Sequence, residues 1–369
     1  MKIPFFPYNR AFKKYHDSFL NELSNIIKNG QYIFGESLQK LEKRIADYTG
    51  AKYCIGVGNA TDALEMMLEY YNFSREDEII LSSHTMIATL SSIVRSSAKP
   101  VPVDIQEDGL ICPKSILESI NKNTKALMIT QLNGKTCNMD EIKKICNEKN
   151  LLLFEDSAQA LGSRYKNQHA GTFGSAGCFS IYPAKILGGP GDGGALITSN
   201  TELYEWFSKN RDHGRSKNGE ISHLGRNSRL DNLMAAFLNI QFDHFDEFIE
   251  RRRKVAKKYN DILKNIDEIK CPEYNDDKDN EHFDTFQNYE ILADNRDQLK
   301  KYLAENEVGT LIQWGGITTN QIENFSKNSK SKFINTKNYY KRCLMLPMNT
   351  MITDDEIDII NELIMKFYK

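Results

Sequence analysis

The sequence predicts an α/β fold in two parts: a mostly parallel, seven-stranded sheet covered by helices, then a smaller C-terminal α+β domain. Three observations predict it. Seven short β-rich runs recur between residues 52 and 198, with helical runs between some of them. These runs are close to continuously apolar, as expected of strands buried on both faces. Past Leu230 the texture changes to long helical runs and then to a second mixed unit.

Each element follows in order. From Glu36 to Tyr48, Leu38, Leu41 and Ile45 share one helical face, and Gly50 follows as a stop. The strand candidates are KYCIGVG, EIILSS, KPVPVDI, ALMIT, LLLFED, GCFSIY and GALIT, while TDALEMMLEYY and NMDEIKKICNEKN read as helices. DNLMAAFLNIQFDHFDEFI and ERRRKVAKKYNDIL are the long helical runs. After the acid-rich YNDDKDNEHFD come a strand, QNYEIL, and a final helix, DDEIDIINELIMKFY. The expected division is residues 1–245 for the large domain with its N-terminal segment, and 246–369 for a connecting helix and the small domain. SKNSKSKFINTK reads as a solvated loop.

Composition narrows the function classes. A chain of 369 residues, 40% hydrophobic, is long enough for a substantial core. Lys plus Arg number 48 against 50 Asp plus Glu, so the net charge of -2 gives no general pull toward nucleic acid or anionic membrane. The seven cysteines contain no C-x-x-C pair, which argues against a disulfide frame or a zinc site. MKIPFFPYNR lacks the apolar core and cleavage site of a secretion signal, and no uncharged apolar run approaches membrane-spanning length. A cytoplasmic protein is expected.

The stretch FSIYPAKILGGPGDGGA, residues 179–195, places Lys185 between a strand-like run stopped by proline and a tract with five glycines. Glycine lets backbone approach a bound group; lysine offers a fixed cation or, when desolvated, an amine nucleophile. The order is wrong for a phosphate-binding loop, in which the glycines precede the lysine. Asp156 ends the run NLLLFED, at the edge where such sheets bind ligands, although an acid there is more often a helix cap. In GVGNATDAL a strand meets a helix through small residues. The amides of Ala60 and Thr61 and the Thr61 hydroxyl can hold a phosphate at the positive end of that helix, and a plain capped helix would read the same way. A lysine by itself is usually a surface residue. Together, a phosphate cradle, a strand-end carboxylate and a lysine in a glycine-rich turn are the three supports that pyridoxal phosphate requires.

The ordered blocks GNATDAL, EDSAQALGS, CFSIYPAKILGGPGDGGALIT, RDHGR, GRNSRLDNLMAAFL and LPMNTMITDDEI resemble those of DegT-type sugar aminotransferases, a branch of the fold-type I, aspartate-aminotransferase-like pyridoxal-phosphate enzymes. The likeness runs from about Gly35 to Ile357. It implies that Lys185 joins the cofactor covalently and, once released, moves the proton as general base. It further implies that Asp156 pairs with the ring nitrogen, that Gln159 lies near the ring hydroxyl, and that Ala60, Thr61 and Ser180 bind the phosphate. Asn227 would reach that phosphate from a partner subunit, making a homodimer part of the site. Dehydratases of the family carry histidine in place of the lysine, so Lys185 implies transamination, with pyridoxamine phosphate formed during turnover. Met86 stands where the family usually stacks an aromatic ring, and KIL replaces the frequent KNL; a thioether packs on a ring more loosely.

Other features read more plainly. His213 in RDHGR is expected to be structural. RRRKVAKK is expected to be the solvated face of a helix whose buried stripe is Ile249, Val255, Tyr259 and Ile262. Trp314 either lines an acceptor pocket or packs in the core. The leading expectation is amino transfer from glutamate to a keto group of a nucleotide-linked deoxysugar, with no nucleic-acid or membrane partner. The alternatives are an acceptor that is a small or phosphorylated keto compound, and a regulatory homologue without catalysis.

Overall fold

The computed structural model describes residues 2–277, 280–322 and 331–369. All seven strand candidates join one sheet: β1 (Tyr53–Val57), β2 (Glu78–Ser82), β3 (Lys99–Val103), β4 (Thr124–Thr130), β5 (Leu152–Asp156), β6 (Ala176–Ser180) and β7 (Gly194–Thr198). The spatial order is β1-β7-β6-β5-β4-β2-β3. The pairs from β6 through β5, β4 and β2 to β3 are parallel, and β7 runs antiparallel to both β1 and β6. Every residue of β7 and most of the others are buried, which is what the unbroken apolar runs require of a sheet covered on both faces.

The helices supply that cover. α1 (Glu36–Thr49) buries Leu38, Leu41 and Ile45 and ends at Gly50 in the left-handed conformation, φ 76°. α2 (Ala60–Glu69) and α3 (Ile87–Arg95) pack on one another over the sheet, and α4 (Met139–Lys149) leads into β5. The two long helical runs divide earlier than their sequence suggests, into α5 (Asn232–Phe242) and α6 (Phe245–Leu263). Arg44 binds at the break: it donates to Asn239 O at 2.8 Å and to Asp243 Oδ1 at 2.7 Å, satisfying groups at the carboxyl end of α5.

A second core gathers Val255 and Tyr259 of α6, Tyr289, Ile291 and Leu344 of a small antiparallel sheet, and Ile357 and Ile360 of α7 (Asp354–Phe367). Ile3 joins this core through a bridge to Val308, so the first residues pack with the last third of the chain. The run SKNSKSKFINTK lies outside the described residues over 326–330. Its end is not a loop but the start of the helix Ile334–Arg342. Asp104 explains the difference, since its carboxylate accepts from Asn335 N at 3.1 Å, Thr336 N at 2.8 Å and Thr336 Oγ1 at 2.6 Å. An acid from a remote turn thus caps this helix. No helix among the described residues is long and apolar enough to cross a membrane.

Asp104→Ala should therefore cost about 2 kcal/mol of stability, the upper end for loss of a cap. Urea unfolding of the two proteins checks this, and equal midpoints would contradict it.

Candidate active site

Register carries the candidate residues to one edge of the sheet. Thr130 pairs with Asp156, Asp156 pairs with Cys178, and Ser180 pairs with Gly194. The carboxyl ends of β4, β5 and β6 therefore stand side by side. The 13 residues between β6 and β7 form the connection of an antiparallel pair, so the chain must turn back at that same edge, and Lys185 rides on the turn. Gln287 brackets it from the second core: its amide accepts from Ile186 N at 3.0 Å and donates to Ala184 O at 2.9 Å. α2 begins against the start of β7. A Cβ on Gly194 would come within 2.5 Å of Asn59 C and 2.7 Å of Ala60 N, so glycine is what admits the helix start there.

The result is one cavity of about 400 Å³ lined by Ala60, Thr61, Met86, Asp156, Gln159, Ser180, Lys185 and Trp314. Asn227 is exposed and lies outside it. Arg226 pairs with Glu65 at 2.6 Å, and Ser228 donates to Asp62 at 2.5 Å, so residues on both sides of Asn227 are fixed to α2.

Two opposite charges share the cavity wall. Asp156 is 3% exposed, and burial raises its pKa; a donor from Thr89 at 2.6 Å, the amide of Ala158 at 3.2 Å and the charge of Lys185 pull it back. Burial lowers Lys185 to about 8, with Asp156 opposing that shift and Arg252 adding to it. An amine tuned this way is half deprotonated near pH 8, within reach of neutral, as a nucleophile and proton carrier needs.

Behind Asp156 lies a chain of three buried threonines. Thr89 has a single hydroxyl proton, which goes to the carboxylate. It therefore accepts from Thr85 at 2.8 Å, and Thr85 in turn accepts from Thr130 at 2.7 Å. The carboxylate fixes the direction of every bond in the chain, and each polarises the next toward the anion. Thr85 and Thr89 are one helical turn apart, a spacing visible in the sequence. Nothing there points to Thr130, 45 residues from Thr85.

The opposite end of the cavity is a donor surface. The first amides of a helix have no intrahelical acceptor, and the Asn59 cap takes only that of Asp62, at 2.8 Å. Ala60 and Thr61 present theirs beside the Thr61 and Ser180 hydroxyls, at the positive end of α2. Gln159 is oriented by its neighbours. Asn133 N donates to its oxygen at 2.9 Å, so its Nε2 is left to face the cavity. A further line of contacts holds Trp314: His84, 1% exposed, meets its ring edge-on at 5.5 Å and bonds Gln313 at 3.1 Å. Tyr182 and Asp192, which also line the cavity, were not singled out by the sequence.

The donor set matches the three supports of pyridoxal phosphate. Anion donors stand at a helix start, a buried carboxylate has a hydroxyl donor and an amine opposing the effect of its burial, and a desolvated amine lines the same cavity. Any side chain at Gly194 would push that helix start away, so the glycine keeps it in place.

Comparison with known proteins follows the same direction. The model of the DegT/DnrJ/EryC1/StrS aminotransferase family matches residues 13–365. The chain is 33% identical over 366 residues, 99% of each chain, to the dTDP-3-amino-3,6-dideoxy-alpha-D-galactopyranose transaminase of Aneurinibacillus thermoaerophilus. It is 32% identical over 100% of its length, and 99% of the relative's, to the pleiotropic regulatory protein of Geobacillus stearothermophilus. The crystal structure of S. venezuelae DesV in complex with a ketimine intermediate superposes with a TM-score of 0.94 at 26% identity, covering 100% of this chain and 99% of that one.

The lowered lysine makes a pH prediction. Between about 8 and the 10.5 of an unperturbed lysine, the unfolded chain holds a proton that the folded chain has released. In ligand-free protein the stability difference between wild type and Lys185→Met should rise in favour of wild type as pH climbs through that window. Denaturant titrations at several pH values measure it, and a flat difference would contradict the buried amine.

Proposed function

The chain belongs to the DegT/DnrJ/EryC1/StrS aminotransferase family and is a pyridoxal-phosphate-dependent sugar aminotransferase; from that premise we propose that it moves an amino group from glutamate to a keto group of a nucleotide-linked deoxysugar. The observation that carries this reading is the meeting of Lys185, Asp156 and the start of α2 around one cavity. The transaminase name of the Aneurinibacillus relative supports the acceptor class. The regulatory name of the Geobacillus relative does not displace it, because the amine, carboxylate and helix start are all present here.

Bound in this cavity, pyridoxal phosphate supplies the electron sink and the carrier for the amino group. The chain's own residues do the rest. Ala60, Thr61 and Ser180 hold the phosphate through amides and hydroxyls. Asp156, which accepts from Thr89, would accept a hydrogen bond from the protonated ring nitrogen and keep it protonated, and Gln159 would offer its Nε2 to the ring hydroxyl. Met86, 43% exposed, would pack its thioether against the ring. Lys185 Nζ, near 8, would take the proton from the donor's α-carbon as general base. Trp314 borders the acceptor.

The site is completed by a second copy of the chain. Asn227 stands exposed between two anchored residues, and the same loop carries Ile221, 66% exposed, and Leu224, 99% exposed. Apolar side chains so open to water fit a partner surface. We place Asn227 in the partner's phosphate site, and the homodimer in the cytoplasm.

The holoenzyme should show a visible absorbance band that glutamate removes and a keto-sugar nucleotide restores. Lys185→Ala should lack the band, and its persistence would refute the role of Lys185. Turnover only with keto compounds lacking a nucleotide would overturn the sugar reading. Thr89→Val should weaken cofactor binding roughly tenfold, the effect of one charge-assisted hydrogen bond, with Thr89→Ser restoring it. Equal affinities by fluorescence titration would sink the relay.

A further inference from the structure

The basic run on α6 is not simply a solvated face. Arg252 and Arg253 are 2% and 7% exposed. Arg253 is well occupied: it donates to Asp284 O at 2.8 Å and to Asn275 O, and it lies 4.5 Å from the ring of Phe283. Arg252 is not. Nη1 alone makes hydrogen bonds, to the carbonyls of Phe286 at 3.2 Å, Gln287 at 2.9 Å and Met348 at 3.3 Å. Nε is buried without a partner, and no carboxylate or other acceptor takes Nη2 among the described residues. Burial unopposed by any anion lowers this guanidinium to about 10. Nε and Nη2 form one edge of the fork, the edge that binds oxyanions in pairs.

That side chain lines a second cavity, of about 350 Å³. Lys185 borders both cavities, with Tyr182 on the first and Pro183 on the second, so the two adjoin the lysine's turn. The other cations around the second cavity are Arg10 and Arg251, paired with Glu356 and Asp354, and Lys14. Its one acid, Glu247, is 67% exposed and bonded to His244. The cavity therefore combines an uncompensated buried guanidinium with a wall of net positive charge, and the cost of keeping such a charge dry is offset only when an anion arrives.

We infer that this cavity is an oxyanion subsite in which the Nε and Nη2 edge of Arg252 takes a carboxylate of the amino donor or a phosphate of the nucleotide-linked acceptor. The inference rests on the aminotransferase reading. It adds a coupling, because the charge of Arg252 helps to hold the Lys185 amine low. An anion seated on Arg252 cancels that influence and moves the titration of the neighbouring amine upward.

The test uses the holoenzyme with two non-reacting probes, glutarate and a nucleoside diphosphate, each titrated by calorimetry and by the pH midpoint of the visible band. The probe that binds here raises the midpoint in wild type. Arg252→Gln weakens that probe at least tenfold and abolishes the midpoint rise. Loss for glutarate alone assigns the donor, loss for the nucleotide alone assigns the acceptor, and loss for both means that the two reactants share the subsite in turn. Glu247→Gln, at the exposed rim, tightens the same probe two- to fivefold without changing the melting temperature, so the test stands even if Arg252→Gln does not fold. Unchanged affinities in both variants, with no midpoint rise in wild type, would overturn the inference and leave Arg252 as a staple between three carbonyls. These titrations need no turnover. Failure of glutamate to remove the band in wild type would count against the aminotransferase reading instead.

Discussion

Asp156 and Lys185 are drawn into the same wall of one cavity, where burial works against the charge on each. It raises the acid and lowers the amine, while each pulls the other back toward its ion. Each steadies the other: without the amine and the Thr89 hydroxyl, burial would push the carboxylate further up, and without the acid, burial would push the amine further down. The opposed pulls leave the amine near 8, where it exchanges protons at ordinary pH. The rest of the fold serves to hold these two groups at that edge.

The antiparallel strand β7 matters more than its length suggests. A parallel strand in its place would be reached by a crossover of a dozen or more residues, usually helical, returning to the opposite edge of the sheet. Because β7 reverses directly after β6, the connection stays at the carboxyl edge, and Lys185 faces the end of β5. The second core then locks the turn from outside. Gln287 bonds both sides of the lysine, and Arg252 ties the carbonyls of Gln287 and Met348 together. A shift of the second core would thus be felt at the amine.

Much of this was legible in the sequence, and the reason is physical. The strands were readable because a sheet covered on both faces needs unbroken apolar runs, and Lys185, Asp156 and the start of α2 because their chemistry sits at strand ends marked by glycine and small residues. What escaped depended on distant partners. The helix Ile334–Arg342 starts inside a polar, low-complexity run because Asp104, more than 200 residues earlier, caps it. Thr130 and Gln287 have no local pattern, since their role exists only when separate strands and cores meet. Arg252 was misread because a charge run looks solvated from the sequence, whereas helix phase and the carbonyls of two remote loops bury it.

The most direct test of the central claim is chemical. Reducing the holoenzyme with borohydride and mapping its peptides should place the pyridoxyl group on Lys185, with the yield falling when Asp156 is replaced by alanine. A label on another lysine, or none at all in protein that has bound the cofactor, would contradict the account.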